Sequence, residues 1–226
     1  MSAHLILDQL LKSGMSLLDG KRSPVGGASS AGFGQLGTGI AAGGILGLLL
    51  GTKRGRSIGG SALKYGGVAA LGAVAFRAYS QWQAQQAALV SSPGTTGLAA
   101  RTVDLLPASE AETHSRAIFQ ALIAAAKSDG HLDERERGLI DAEMLRLQAD
   151  AGDRAWLAAE LQCPLDPAEV ARAATTPELA AEMYLASLLV IDDTSFMERA
   201  YLDEFARQLK LPAALKAELE KQASAN

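Results

Sequence analysis

Acidic residues cluster at two points in the second half of the chain, each after a run of small or apolar residues. One cluster lies between Ala124 and Glu136, and the other between Ala186 and Glu198. In both, a helix-like segment ends in an acidic loop and a glutamate opens the next helix, which indicates an internal pseudo-repeat. Carboxylate oxygens are the ligands that hard cations such as Ca²⁺ and Mg²⁺ prefer. Two such loops at one end of a helical bundle could hold a divalent cation.

These loops also have a purely structural interpretation. Asp133 and Ser195 are good helix N-caps, and Glu136 and Glu198 stand three residues later, where a capping box needs a glutamate. Asp129-Gly130 is typical of a turn that ends a helix. All of these residues would be required without any metal, so the residues alone leave both interpretations open.

The elements that position the two loops are predicted to be short helices. Beyond residue 108 the chain shows repeated helix-start signals and no alternating strand pattern. We expect an all-α fold, with a compact bundle of about seven short helices following a glycine-rich membrane helix or helical hairpin. The predicted helix starts are Ser109-x-x-Glu112, Asp133-x-x-Glu136, Asp153, Asp166-Pro167, Thr176-Pro177, Ser195-x-x-Glu198 and Pro212.

Charge and glycine content divide the chain. Residues 1–110 hold 20 of the 23 glycines and nine Lys and Arg against four Asp and Glu. Residues 111–226 hold twelve basic and 21 acidic residues. An acidic C-terminal half excludes nucleic acid as the expected partner, because such binding needs a basic face. The predicted segments are a short amphipathic helix (1–20), a glycine-rich membrane-associated segment (21–80), a stalk (81–107) and a helical domain (108–226).

The glycine-rich half contains a candidate membrane span. Phe33 to Thr52 is a stretch of 20 residues without an ionisable side chain, which matches the thickness of a bilayer. Within it, glycines recur every fourth residue and share one helix face, as in close-packed membrane helices. This spacing also predicts self-association. The four glycines are Gly39, Gly43, Gly47 and Gly51.

Two alternatives to a single span stay open. A second, weaker apolar segment runs from Ser57 to Phe76 and is interrupted by Lys64, so residues 33–80 could form a helical hairpin. The number of spans decides on which side of the membrane the helical domain lies. The other alternative is a flexible glycine-rich linker, which the Ile and Leu content of the segment disfavours.

The loops and the glycine-rich half together resemble a known family. The pattern from Ala126 through Asp129-Gly130 to Glu136 is similar to the signature of tellurite-resistance TerB-like domains. The second loop, Ile191-Asp192-Asp193-Thr194 to Glu198, resembles a narrower family typified by the enterobacterial inner-membrane protein YebE. This resemblance implies a seven-helix domain in a bacterial inner-membrane protein, linked to envelope or tellurite-type stress. By analogy it implies divalent-metal ligands at Asp129, Asp133, Glu136, Asp192, Asp193 and Glu198.

No recognisable enzyme site is evident. The chain lacks a Walker loop, HExxH and a CxxC pair, and its glycines at 26, 27, 32 and 34 follow no predicted strand and so form no phosphate-binding loop. We therefore expect no catalytic residues and no small-molecule substrate. The sequence predicts a non-enzymatic inner-membrane protein that presents a TerB-like domain to protein partners, including further copies of itself, with Ca²⁺ or Mg²⁺ as its candidate cofactor. The alternative is a soluble metal-sensing or metal-buffering protein with a flexible or oligomerising glycine-rich arm.

Overall fold

The computed structural model describes residues 3–9, 68–89, 102, 106–128, 149–191 and 195–224, and all regular structure within these ranges is helical. This confirms the all-α prediction. We number eight helices along these ranges. They are α1 (3–9), α2 (Val68–Leu89), α3 (Ala108–Ala126), α4 (Ala151–Gln162), α5 (Pro167–Ala171), α6 (Pro177–Val190), α7 (Phe196–Gln208) and α8 (Ala213–Ser224).

Several helices begin where the sequence places a cap. Asp166 precedes α5 and accepts a hydrogen bond from the backbone N–H of Ala168 (N···O 2.9 Å). Thr176 precedes α6 and accepts one from the N–H of Leu179 (N···O 3.1 Å). Both caps are followed by proline at the first helical position, where its missing N–H costs nothing. These starts are confirmed because a cap and its partner lie within one turn, which the sequence shows directly.

The start of α3 differs from the prediction. Ser109-x-x-Glu112 predicts a capping box, but the helix begins at Ala108 with Pro107 at the N-cap position and no side-chain cap. The carboxylate of Glu112 instead accepts hydrogen bonds from the N-terminal helix α1. The partners of Glu112 lie more than 100 residues away in the chain, and a pattern of neighbouring residues cannot show them. The capping box predicted at Ser109 and Glu112 is therefore wrong.

Helix α6 forms the centre of the bundle. Every residue from Leu179 to Val190 is buried, and the helix contacts α2, α3, α7 and α8. A helix that is apolar on all sides belongs in the middle of a core. The chain leaves this buried helix at Ile191, immediately before the second acidic loop.

Helix α2 contributes to the same core. It covers residues that the sequence assigned partly to the membrane segment and partly to the stalk, and it packs against α6 and α8. Leu71, Val74, Ala75 and Ala78 are buried, and Gln81 accepts a hydrogen bond from Gln222 of α8 (N···O 3.2 Å). Within the described part of the second predicted segment, Leu71, Val74 and Ala75 therefore lie against protein, whereas Phe76 is exposed. Among the described helices, none is both long and apolar enough to cross a membrane.

Several predicted features lie outside the described residues. They are the candidate span from Phe33 to Thr52 with its four glycines, and the helix predicted to start at Asp133. The first acidic loop from Asp129 onward and residues 192–194 of the second loop lie there too. The membrane and metal predictions for these residues stay predictions.

Candidate functional site

Glu198 is the one predicted metal ligand within the described ranges, and it serves the N-terminus of α7. Its Oε2 atom accepts a hydrogen bond from the backbone N–H of Ser195 (N···O 3.1 Å). The Ser195 hydroxyl in turn accepts from the N–H groups of Met197 (3.1 Å) and Glu198 (3.3 Å). This is the reciprocal capping box that the sequence predicts. The other five predicted ligands, Asp129, Asp133, Glu136, Asp192 and Asp193, lie outside the described residues.

The described part of the chain contains no cluster of three or more His, Cys, Asp or Glu side chains that could hold a metal ion. Glu198 is therefore not joined there by two further ligands. Its carboxylate still has one oxygen that the capping box does not use.

Two exposed apolar side chains stand in the first turn of α7. Phe196 is 76% exposed and Met197 is 61% exposed. The buried face of this helix is formed by Tyr201, Leu202 and Phe205, and at 3.6 residues per turn Phe196 lies away from that face. The capping box fixes the backbone from which both side chains project, just after the second acidic loop. The sequence predicts no role for this pair, although the mismatch of Phe196 with the α7 periodicity is visible in it.

A second polar cluster joins α1, α3 and α4 around Arg116. Its Nε atom lies 3.2 Å from Oε1 of Glu112, and its NH2 group lies 3.4 Å from Oδ1 of Asp153. The guanidinium carbon lies 5.4 Å from the centre of the Trp156 ring, a cation–π contact. Trp156 packs edge-on against Phe119 at a centroid distance of 5.9 Å. Arg116 thus links α3 to α4.

The first residues of α1 complete this cluster. Glu112 accepts from the backbone N–H groups of Ala3 (2.8 Å) and His4 (3.2 Å), and His4 Nδ1 lies 3.0 Å from the Ser115 hydroxyl. A carboxylate thus satisfies N–H groups that a helix N-terminus leaves without partners. Ile6 and Leu7 of α1 are buried, so α1 is held by apolar packing as well.

The two carboxylates beside Arg116 have opposite pKa shifts. Burial raises the pKa of Glu112, but the N–H groups of Ala3 and His4 and the Arg116 guanidinium outweigh it, so the pKa is lowered. Burial also raises the pKa of Asp153, and the neighbouring Asp150 carboxylate raises it further. Arg116 only partly offsets this effect. Arg116 pairs with both Glu112 and Asp153, and Glu112 also binds the N-terminus of α1. These contacts have a structural role, which is to hold α1 against α3.

The sequence of this chain matches a known protein family over most of its length. The sequence profile of the family described as "Protein of unknown function (DUF533)" matches residues 35–223. The chain belongs to this family. The match runs from the glycine-rich segment of this DUF533 chain through α2 and into α8, and it leaves out α1. A single family therefore includes both the glycine-rich half and the acidic helical half of the chain.

A curated relative supports the assignment. The DUF533 chain is 37% identical over 95 residues to the "Uncharacterized protein in ampR 5'region" of Yersinia enterocolitica. The aligned region covers 42% of this chain and 68% of that protein. No solved structure matches the chain at a significant level. The DUF533 assignment is consistent with the YebE-like resemblance, whereas the TerB-like character of the bundle stays a prediction.

Proposed function

We propose that this DUF533 protein is a non-enzymatic interaction module that assembles with further copies of itself. Its bundle presents the exposed pair Phe196 and Met197, and its segment from Phe33 to Thr52 tethers it to the bacterial inner membrane. The exposure of Phe196 and Met197 is the observation that carries this proposal.

Burying the exposed side chains of Phe196 and Met197 against a partner would lower the free energy of the complex. Burying a Phe or Met side chain fully is worth about 1.5–3 kcal/mol relative to leaving it in water. Two such side chains project from adjacent positions of a helix N-terminus whose backbone a capping box orders, so the backbone beneath them is already ordered before contact. Clustered apolar exposure marks interaction surfaces more often than scattered exposure does.

A second copy is the partner that the charges favour. Residues 111–226 hold 21 acidic against twelve basic residues, whereas residues 1–110 carry an excess of basic ones. Unlike charges on two regions of one chain attract between copies and orient their encounter. The glycines at 39, 43, 47 and 51 would bring the tethers of those copies together within the membrane.

A divalent cation is the proposed regulator of this assembly. The acidic loops precede α7 and the predicted helix at Asp133, and the second loop leads into Phe196 with one residue of cap between them. Ca²⁺ or Mg²⁺ bound by carboxylates there would neutralise charge beside the apolar pair, which would favour contact with a second copy. Envelope or tellurite-type stress is the proposed setting.

Membrane attachment is tested by extraction. The full chain is produced in a bacterial host, and its membranes are washed with alkaline carbonate without detergent. We expect the protein to stay in the membrane pellet, as an integral protein does. Release into the wash would contradict the tether and would favour the soluble metal-binding alternative.

Self-association is tested by light scattering on the detergent-solubilised full chain. We expect wild-type protein to have the mass of an oligomer and the double variant Phe196→Ser, Met197→Ser to have a smaller mass. Leu165→Ser is the matched control, because Leu165 is a lone exposed apolar residue (38%). A monomeric wild-type protein, or an equal loss of mass in the control, would contradict the proposed role of the pair.

A further inference from the structure

A cavity of about 370 Å³ lies where α2, α6 and α8 meet. It is within the size range of sites for small molecules. Residues that line it include Tyr79 and Trp82 of α2, Pro177 of α6, Lys210 and Leu211 of the α7–α8 connection, and Leu215 of α8. Helix α7 separates it from the exposed pair, since about 20 Å of helix lies between Phe196 and Lys210.

One wall of the cavity suits an apolar, flat molecule. The rings of Tyr79 and Trp82 lie 5.5 Å apart at 45° to each other, and together with Leu211 and Leu215 they line the same space. Aromatic side chains supply large apolar contact areas with little loss of rotamer freedom. A ligand with an aromatic or branched apolar body would bury most of its surface here.

The charged residue that lines the cavity is basic. Lys210, an exposed residue, is the charged side chain among the described lining residues, and none of those residues is an Asp or Glu. The N-terminus of α6 is also part of the wall, through Thr176 and Pro177, and this end of a helix favours negative charge. An anionic group beside Lys210 would therefore meet no Asp or Glu among the described lining residues.

The geometry of Lys210 is unusual. Its φ of 56° puts it in the left-handed region, which non-glycine residues adopt infrequently. A glycine would fit this helix-ending position at lower cost. In the same wall, the buried Nε1–H of Trp82 has no hydrogen-bond partner among the described groups, and a buried donor without an acceptor is destabilising.

We propose that this cavity binds a small amphipathic carboxylate, with its apolar body against Tyr79 and Trp82 and its charge beside Lys210. Such a ligand contacts α2, α6 and α8 at once and therefore strengthens the docking of α2, the helix that joins the glycine-rich segment to the bundle. The site is independent of the Phe196–Met197 pair.

The test compares an acid with its neutral amide. The full chain in lipid nanodiscs is titrated calorimetrically with naphthalene-2-acetate and with naphthalene-2-acetamide, and the heats of empty nanodiscs are subtracted. We expect saturable binding of the acid and about fivefold weaker binding of the amide, which is the size of one solvent-accessible ion pair. Absence of saturable acid binding, or equal affinity for both probes, would overturn the proposal.

Three variants assign the site. Lys210→Gln should lower the affinity for the acid to that for the amide, whereas Lys221→Gln, at a lysine elsewhere on α8 with 72% of its side chain exposed, should change neither. Thr175→Phe, at an exposed lining residue, should weaken both probes by filling the cavity. Wild-type affinities in Lys210→Gln and Thr175→Phe would place binding elsewhere and overturn the proposal.

Discussion

The carboxylate of Glu112 on α3 accepts a hydrogen bond from the backbone N–H of Ala3 at 2.8 Å, across 109 residues of chain. The same side chain also accepts from His4 and pairs with Arg116. One glutamate therefore caps a helix that is not its own and fixes the orientation of the arginine that reaches α4. This contact, together with the buried side chains of Ile6 and Leu7, holds the N-terminal helix on the bundle.

Glu112→Ala is expected to release α1. Hydrogen bonds to a charged group contribute about 1.5–3 kcal/mol, which corresponds to about a ten- to hundredfold faster amide exchange if α1 opens locally. Hydrogen exchange of residues 3–9, followed by mass spectrometry, measures this directly. Glu169→Ala is the matched control, because Glu169 pairs with Arg172 on the exposed surface and such pairs contribute little. Unchanged exchange in Glu112→Ala would mean that the apolar contacts of Ile6 and Leu7 alone hold α1.

The same contact predicts a dependence on pH. The folded-state pKa of Glu112 is lowered relative to its unfolded value of about 4.3. Its contribution to stability is therefore fully present above that value and is lost as the pH falls through the folded-state pKa. The difference in unfolding free energy between wild type and Glu112→Gln, measured by urea titration at several pH values, should shrink below about pH 4. A constant difference from pH 7 to pH 3 would contradict this assignment.

Tyr184 and Tyr201 should respond in opposite ways to substitution by phenylalanine. The Tyr184 hydroxyl donates to Oε1 of Glu220 at 2.8 Å, so Tyr184→Phe should cost about 1.5–3 kcal/mol. Among the described residues, the buried Tyr201 hydroxyl has no well-formed hydrogen bond. The Ser187 hydroxyl lies beside it but donates to carbonyl oxygens of α3 and α6. Tyr201→Phe should therefore be neutral or stabilising, as measured by urea unfolding. A large loss in Tyr201→Phe would show that its hydroxyl has a partner.

Metal binding and helix capping can be separated at Glu198. Glutamine also completes a capping box, so Glu198→Gln should leave the unfolding free energy nearly unchanged, whereas Ser195→Ala should lower it by about 1 kcal/mol. If the carboxylate is also a metal ligand, Glu198→Gln should weaken Ca²⁺ or Mg²⁺ binding in a calorimetric titration of the full chain. Asp129→Asn and Asp192→Asn are the companion variants. A flat titration of wild-type protein would leave these acids as caps and turn formers.

The cap positions show what could be predicted. Asp166, Thr176 and Ser195 were assigned correctly because each N-cap bonds to a backbone N–H two or three residues later. Glu112 was assigned to the wrong partner because that partner lies at the other end of the chain. Likewise, the apolar residues of α2 fit either lipid or a protein core, since hydropathy does not distinguish these surroundings. Their burial against α6 and α8 came from the fold.

The sequence by itself determined the all-α class and most helix starts, because periodicity and capping are local properties of the chain. The tertiary structure decided the rest. In the folded chain, α1 contacts Glu112 and α2 packs against α6 and α8. Phe196 is exposed, and Lys210 is the charged residue among the described residues that line the cavity. These features depend on contacts between residues far apart in sequence, and such contacts are fixed by the packing of all the helices together.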